Sequence, residues 1–193
     1  MAEMRCCVLN KCYLSQRLRF RLLDEGDKGQ YIALYQSPKV MRNIAPPLSD
    51  EDVETAFTTT LKLNKAKGIK QKVWAVHERQ DNGFCGIGMA KWKNQSDDVE
   101  LGLMLVPECN GKDFGTEAVG KIIDIVQADY HITDFQANFQ SHHRPVRKIL
   151  TNLGFAFEEP EIIGGQKMVK AILRDTESQS HKRRILNISA PIG

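Results

Sequence analysis

Between residues 97 and 119 the hydrophobic period of the chain changes twice within a few positions. Val99, Leu101, Leu103 and Leu105 alternate with Glu100, Gly102, Met104 and Val106, which predicts a strand over residues 99–106 with at least one buried face. Pro107 ends this pattern, a short stretch with Asn110, Gly111, Lys112 and Gly115 follows, and Ala118, Val119, Ile122, Ile123, Ile125 and Val126 then recur at helical spacing. The prediction is a strand, a glycine-bearing turn and a helix over residues 116–129. Main-chain N–H groups freed at such a turn, with the positive end of the helix dipole, suit a phosphorylated ligand.

The same patterns order the rest of the chain. Leu18, Phe20 and Leu22 alternate with Arg17, Arg19 and Arg21, a strand with one basic, solvated face. The turn at 24–27 caps a helix carrying Tyr31, Leu34 and Tyr35, which Ser37-Pro38 ends. After Pro46 and Pro47, Ser49 starts a second helix over residues 50–67, acidic at its beginning and basic at its end. Strands at 72–78, 84–92 and 99–106 form an antiparallel meander, joined by the turn Asp81-Asn82-Gly83 and by residues 94–98. A strand at 135–139, a helix at 145–152 between Pro145 and Gly154, and a strand at 168–173 complete the pattern.

Composition narrows the function classes. With 193 residues, 41% of them apolar and 26% charged, one domain with one sizeable core is expected. A net charge of +3 favours an anionic ligand slightly and does not imply nucleic acid. Trp74 and Trp92 lack the interleaved basic residues of a base-stacking surface and read as core or pocket wall. No apolar run approaches the roughly 18 residues of a membrane span, and the first residues lack a signal-peptide layout, so a cytoplasmic protein is expected. Five cysteines form no Cys-x-x-Cys pair, as expected of reduced thiols; Cys85 reads as packing, and Cys109 has no triad-like spacing around it. The neighbours His142 and His143 are poorly placed to share a zinc ion, and no metal is expected.

Neither GxxxxGK[ST] nor a GxGxxG after the 99–106 strand is present. A third pattern is matched. Glu100-Leu101-Gly102, Pro107 and the run Gly111-Lys112-Asp113-Phe114-Gly115-Thr116-Glu117-Ala118 resemble the acetyl-CoA-binding motif of the GNAT superfamily of N-acetyltransferases, in its RimJ/RimL-like branch. The RLRFR of residues 17–21 and SPKVM of residues 37–41 are also typical of that branch, and Leu153-Gly154-Phe155 resembles the end of its last cofactor-contacting helix. Asn110 and Asp113 stand where the superfamily has Gln or Arg and Gly; His143 and Val146 stand at its usual Asn and its Ser or Tyr.

The resemblance implies a single α/β (α+β) GNAT domain over residues 14–173, with a mostly antiparallel central sheet splayed at the cofactor and flanked by helices. An N-terminal extension, 1–13, and a polar basic tail, 174–193, would lie outside it. It implies acetyl transfer from acetyl-CoA to a primary amine, either a small molecule or a protein N-terminus, by direct attack in a ternary complex. Glu100 would draw off the amine proton, and His143 would supply a proton to the departing thiolate. Cofactor contacts would come from Met104, Leu105 and Val106, from Asn110, Gly111, Lys112, Asp113, Phe114, Gly115 and Thr116, and from His143 and Arg147. A homodimer is possible in this family. The alternative is a member that no longer catalyses and serves as an acyl-CoA sensor or interaction module.

Overall fold

The computed structural model describes residues 11–66, 69–93 and 98–174. The expected turn at 94–98 falls largely outside these residues, as do Cys6, Cys7, the end of the 50–67 helix and almost all of the expected extension and tail. In chain order the elements are β1 (Cys12–Leu14), β2 (Leu18–Leu22), α1 (Lys28–Gln36), α2 (Pro38–Met41), α3 (Asp50–Lys65), β3 (Gln71–Glu78), β4 (Phe84–Trp92), β5 (Asp98–Leu105), α4 (Phe114–Tyr130), β6 (Asp134–Gln140), α5 (Arg144–Asn152), β7 (Ala156–Phe157), β8 (Glu161–Ile163) and β9 (Gln166–Arg174).

Nine strands form one sheet in the order β1-β2-β3-β4-β5-β6-β9-β7, with β8 also on β9. Every pairing is antiparallel except β5 with β6, which is parallel. A parallel pair needs a crossover, and α4 supplies it. The fold is therefore α+β, with a mostly antiparallel sheet flanked by helices, as expected.

The period-two alternation sends each strand's residues into two cores. Leu18, Phe20, Trp74, Val76, Val99 and Leu101 pack beneath α4, which contributes Ala118, Ile122, Ile123, Ile125 and Val126. On the opposite face Val73, Ala75 and Ile87 meet Tyr31 and Leu34 of α1 and Val53, Phe57 and Leu61 of α3. Trp74 is thus core, and Trp92 packs edge-on against Tyr130. Gly88 lets α4 approach the sheet, because a Cβ there would lie 2.2 Å from Ile122 Cδ1. Asn64 ties α3 to the sheet: its amide donates to the carbonyls of Val73 (2.9 Å) and Leu23 (3.2 Å), and its Oδ1 accepts from Val73 N–H (2.9 Å).

The basic face around β2 is solvated at Arg17, as expected, but not at Arg21. Arg21 is largely covered and holds the buried Asp27 through two bonds of 2.7 Å, with Asp24 at 2.9 Å. The turn at 24–27 closes over this face, so the arginine anchors the start of α1 instead of facing water. Three short elements, β1, β7 and β8, and the four-residue α2 were not legible in the sequence.

On the same face of the sheet, His77 is only 6% exposed, its Nδ1 has no hydrogen-bond partner among the described residues, and Phe84 lies edge-on to its ring. Burial, then the neighbouring Arg21 and Arg19, push it down to about 4, against the weaker opposing pull of Asp27 and Asp24. The unfolded chain binds a proton near the ordinary histidine value while the folded chain does not. Stability therefore falls as pH drops from the ordinary value toward about 4. The expected loss from this residue between pH 7 and pH 5 is about 2 kcal/mol. Urea denaturation at both values should show this drop, and His77→Leu should shrink it; an undiminished drop in the variant would assign it to other groups.

Candidate active site

The parallel ladder between β5 and β6 is short: Asp98, Val99 and Glu100 pair with Asp134, Phe135 and Gln136, and the strands then part. β5 continues for five residues beyond the last pair, still in register with β4, and the Val106 N–H donates to the Cys85 carbonyl at 2.9 Å. Antiparallel alternation then turns the main-chain groups of Met104 and Val106 toward β4 and those of Leu103 and Leu105 toward the departing β6. Leu103 and Leu105 thus present an open backbone edge, free to bond an extended ligand as a further strand would.

A cavity of about 1240 Å³ occupies this gap. The β5 residues Leu103, Met104 and Leu105 form one wall. They reach both faces of the sheet, since Leu103 and Leu105 pack toward the α4 core and Met104 toward the α1/α3 core. On the α4 side the lining continues through Pro107, Cys109, Asn110, Gly111, Asp113, Gly115 and Thr116 into the start of α5, with His143, Arg144, Val146, Lys148 and Ile149. On the other side it is closed by α2 and the residues after it: Lys39, Val40, Arg42, Asn43 and Ile44. Gln140 and Gln166 complete it.

The turn before α4 is held from behind. Glu117 accepts from Ser15 Oγ and from the Arg17 main-chain N–H, both at 2.6 Å, and from Arg17 Nε at 2.8 Å. Arg17 Nη1 also donates to the Lys112 carbonyl at 2.9 Å, and its guanidinium lies over the Phe114 ring. Gly111 has φ 78°, and the space where its Cβ would stand is open. Asp113 adopts the left-handed conformation (φ 58°, ψ 11°), and its side chain caps nothing on α4. The first N–H groups of α4 are thus left without a side-chain acceptor from their own cap. At Gly115 a Cβ would sit 2.5 Å from Ile149 Cδ1, so this glycine lets α4 and α5 close on one another beside the cavity.

Of the residues expected at the site, Met104, Leu105, Asn110, Gly111, Asp113, Gly115, Thr116 and His143 do line the cavity. The structure does not bring the others to it. Glu100 lies in the still-paired part of β5, where it accepts from Asn138 Nδ2 at 3.0 Å and pairs with Lys93 at 3.4 Å. Four residues of strand, roughly 13 Å, separate it from Met104. Val106 spends its N–H on Cys85. Lys112 turns back over the Phe114 ring toward Glu78, 3.8 Å away, and Phe114 itself is 2% exposed. Arg147 stacks on Phe157 and Phe139, while Lys148, about 100° further round α5, faces the cavity. The cysteines Cys85 and Cys109 are buried neighbours, and burial pushes the Cys85 thiol up.

His143 caps α5, its Nδ1 accepting from Val146 N–H at 3.4 Å. Burial, with His142 and Arg42 nearby, holds it below the ordinary histidine value. The neutral ring then carries its proton on Nε2. His142 Nε2 contacts Asn43 Oδ1 at 3.3 Å, which links α5 to the segment after α2 across the cavity. Lys39 and Arg42 were not singled out for this site from the sequence; they could have been found only by knowing that α2 folds over the open end of β5.

Among the described residues no group of three His, Cys, Asp or Glu could hold a metal ion, and no helix is long and apolar enough to cross a membrane.

Comparison with known proteins places this geometry. No curated protein matches the chain. Among solved structures, a spermidine N-acetyltransferase from Vibrio cholerae in complex with CoA and spermine superposes with a TM-score of 0.69 at 17% identity, over 82% of this chain and 95% of that one. A ribosomal-protein-S5-alanine acetyltransferase from Vibrio fischeri gives 0.71 at 16% identity, over 86% and 97%. RimL, a ribosomal L7/L12 alpha-N-protein acetyltransferase in complex with coenzyme A, gives 0.72 at 13% identity, over 84% and 96%. At such identities these likenesses concern the fold. The family model described as an acetyltransferase (GNAT) domain matches residues 17–156, from the strand that holds the turn to the strand after α5, and by this match the chain belongs to the GNAT acetyltransferase family.

Proposed function

We propose that this chain is an acetyl-CoA-dependent N-acetyltransferase of the RimJ/RimL-like branch, its domain spanning residues 14–173, that transfers the acetyl group to a primary amine. The observation that carries the reading is the continuity of the β5 backbone edge with the turn at the start of α4, inside one cavity that crosses the sheet. An edge with free N–H and C=O groups fits the amide-bearing arm of a CoA thioester, and a helix N-terminus fits its pyrophosphate. CoA-bound relatives with this fold and the sequence motif of residues 111–118 support the same assignment.

In this reading the main chain of residues 110–116 holds the pyrophosphate, with Lys148 and Arg144 beside it, and Leu103 and Leu105 hold the arm. When bound, acetyl-CoA supplies an acetyl group activated as a thioester. Attack by an amine then needs proximity, an unprotonated nitrogen and stabilisation of the leaving sulfur. His143 is assigned the last role as a neutral Nε2–H hydrogen-bond donor, because burial and the neighbouring His142 and Arg42 hold its proton affinity down. Glu100 is assigned to the sheet, held by Asn138 and Lys93.

Calorimetric titration with acetyl-CoA tests the reading directly: binding at micromolar concentrations is expected, and its absence at millimolar acetyl-CoA would overturn it. Asp113→Gly should tighten binding on the order of tenfold, since a carboxylate near the pyrophosphate opposes it, and should stabilise the fold by about 1 kcal/mol by relieving the left-handed conformation. Glu100→Gln should leave CoA affinity and kcat within about threefold of wild type, because an exposed ion pair is worth little. His143→Ala should lower kcat about a hundredfold with CoA affinity nearly unchanged. The activity carried by neutral His143 should fall only below the ordinary histidine value, as pH drops through its lowered pKa, and that limb should be missing from the variant's pH profile.

A further inference from the structure

We propose that the acceptor is an anionic amine: an α-amine whose own carboxylates, or those of the residues that follow it, are read by Lys39 and Arg42. This rests on the transferase reading above and names its substrate class. The cavity crosses the sheet, and beside the turn its cations Arg144 and Lys148 are given above to the pyrophosphate. Asp113, at the turn, is the one carboxylate among the described lining residues. The α2 end carries Lys39 and Arg42, both exposed, and neither is matched with a carboxylate among the described residues. Arg42 stands close enough to His143 to depress its proton affinity, and its neighbour Asn43 contacts His142, so this cationic end adjoins the reaction point.

Unpaired cations at the mouth of a low-dielectric cleft attract anions and repel polycations. They also lower the proton affinity of any amine that enters. The α-amine of a peptide N-terminus, with an ordinary pKa of about 7.7, is then largely unprotonated near neutral pH, whereas an alkylamine near 10.4 stays charged, as does a free amino acid's amine beside its own carboxylate. Among the described residues no carboxylate at this end is placed to deprotonate either charged amine, since Glu100 lies outside the cavity. Charge selects an amine with acidic neighbours over a polyamine or a lysine side chain, and protonation favours a peptide N-terminus among such amines. The shared chemistry has two sources, a free acidic amino acid and an acidic peptide N-terminus.

The test is a set of initial rates of CoA release from acetyl-CoA with four acceptors: a peptide beginning Ser-Asp-Glu-Glu, one of equal length beginning Ser-Lys-Lys-Lys, free glutamate and spermidine. CoA affinity is measured separately by calorimetry. The expected result is a kcat/KM at least tenfold higher for the acidic peptide or glutamate than for the basic peptide or spermidine, falling with added salt. Whichever of the two acidic acceptors is preferred identifies the source. In the double variant Lys39→Glu/Arg42→Glu the preference should vanish or reverse while CoA affinity stays within threefold. Equal or better use of spermidine or the basic peptide overturns the charge inference and leaves the transferase reading intact. Parallel loss of CoA affinity in the double variant also overturns it, by assigning the two cations to the cofactor. Absence of CoA binding and of transfer to any amine removes the transferase reading and this inference together.

Discussion

The structure depends on where one hydrogen-bond ladder stops. Had β5 and β6 paired along their length, the sheet would be closed and the backbone of Leu103 and Leu105 would be satisfied internally. Pairing ends after Glu100 and Gln136, and α4, the crossover between the two strands, begins above the gap. An open backbone edge buried against apolar side chains is costly unless water or a ligand satisfies it. In the proposed reading the gap binds a ligand by the same physics that makes it an irregularity in the sheet. Because it passes through the sheet, the proposed reading gives each face one of the two substrates.

A gap of this kind needs its edges fixed, and the fixing comes from far away in sequence. Glu117 sits in the first turn of α4, where a carboxylate already suits the helix dipole. It collects three hydrogen bonds from Ser15 and Arg17, and Arg17 takes the Lys112 carbonyl as well. The turn's own carbonyl is thereby drawn away from the cavity side. Lys112 and Phe114, which look like cofactor contacts in a linear motif, belong to this rear support: their side chains stack with Arg17 behind the turn.

The parts of the fold legible in the sequence are those where a periodic pattern runs long enough to phase. Strands β3, β4 and β5 and helices α3 and α4 meet that condition, whereas β7 has two residues and α2 four. At the site, the strand–turn–helix logic located the turn and the residues of its lining. Periodicity gives the face on which Glu100 lies but not its distance from a gap whose position is set by pairing with β6. Arg147 and Lys148 show the same limit on a helix: adjacent in sequence, they face different surroundings, and the short, Pro-started α5 carries too few apolar residues to fix its phase. Lys39 and Arg42 escaped notice because their relation to β5 is wholly tertiary.

Asp113 separates two requirements that glycine ordinarily meets together at such a turn. The backbone must enter the left-handed region, and the N–H groups that follow must stay open to a ligand. Aspartate is among the few residues with a Cβ that visit this region without a large penalty. Its side chain makes no cap hydrogen bond, so it does not occupy the donors of α4. The conformational requirement and the donor geometry therefore survive the replacement, and what changes is charge. The turn keeps its shape as an anion site while carrying one negative charge of its own, and Arg144 and Lys148 across the cavity carry the opposite sign. In the proposed reading phosphate affinity at this site is a balance between α5 cations and the Asp113 carboxylate, set by side chains on two elements that the glycine-bearing turn alone does not reveal.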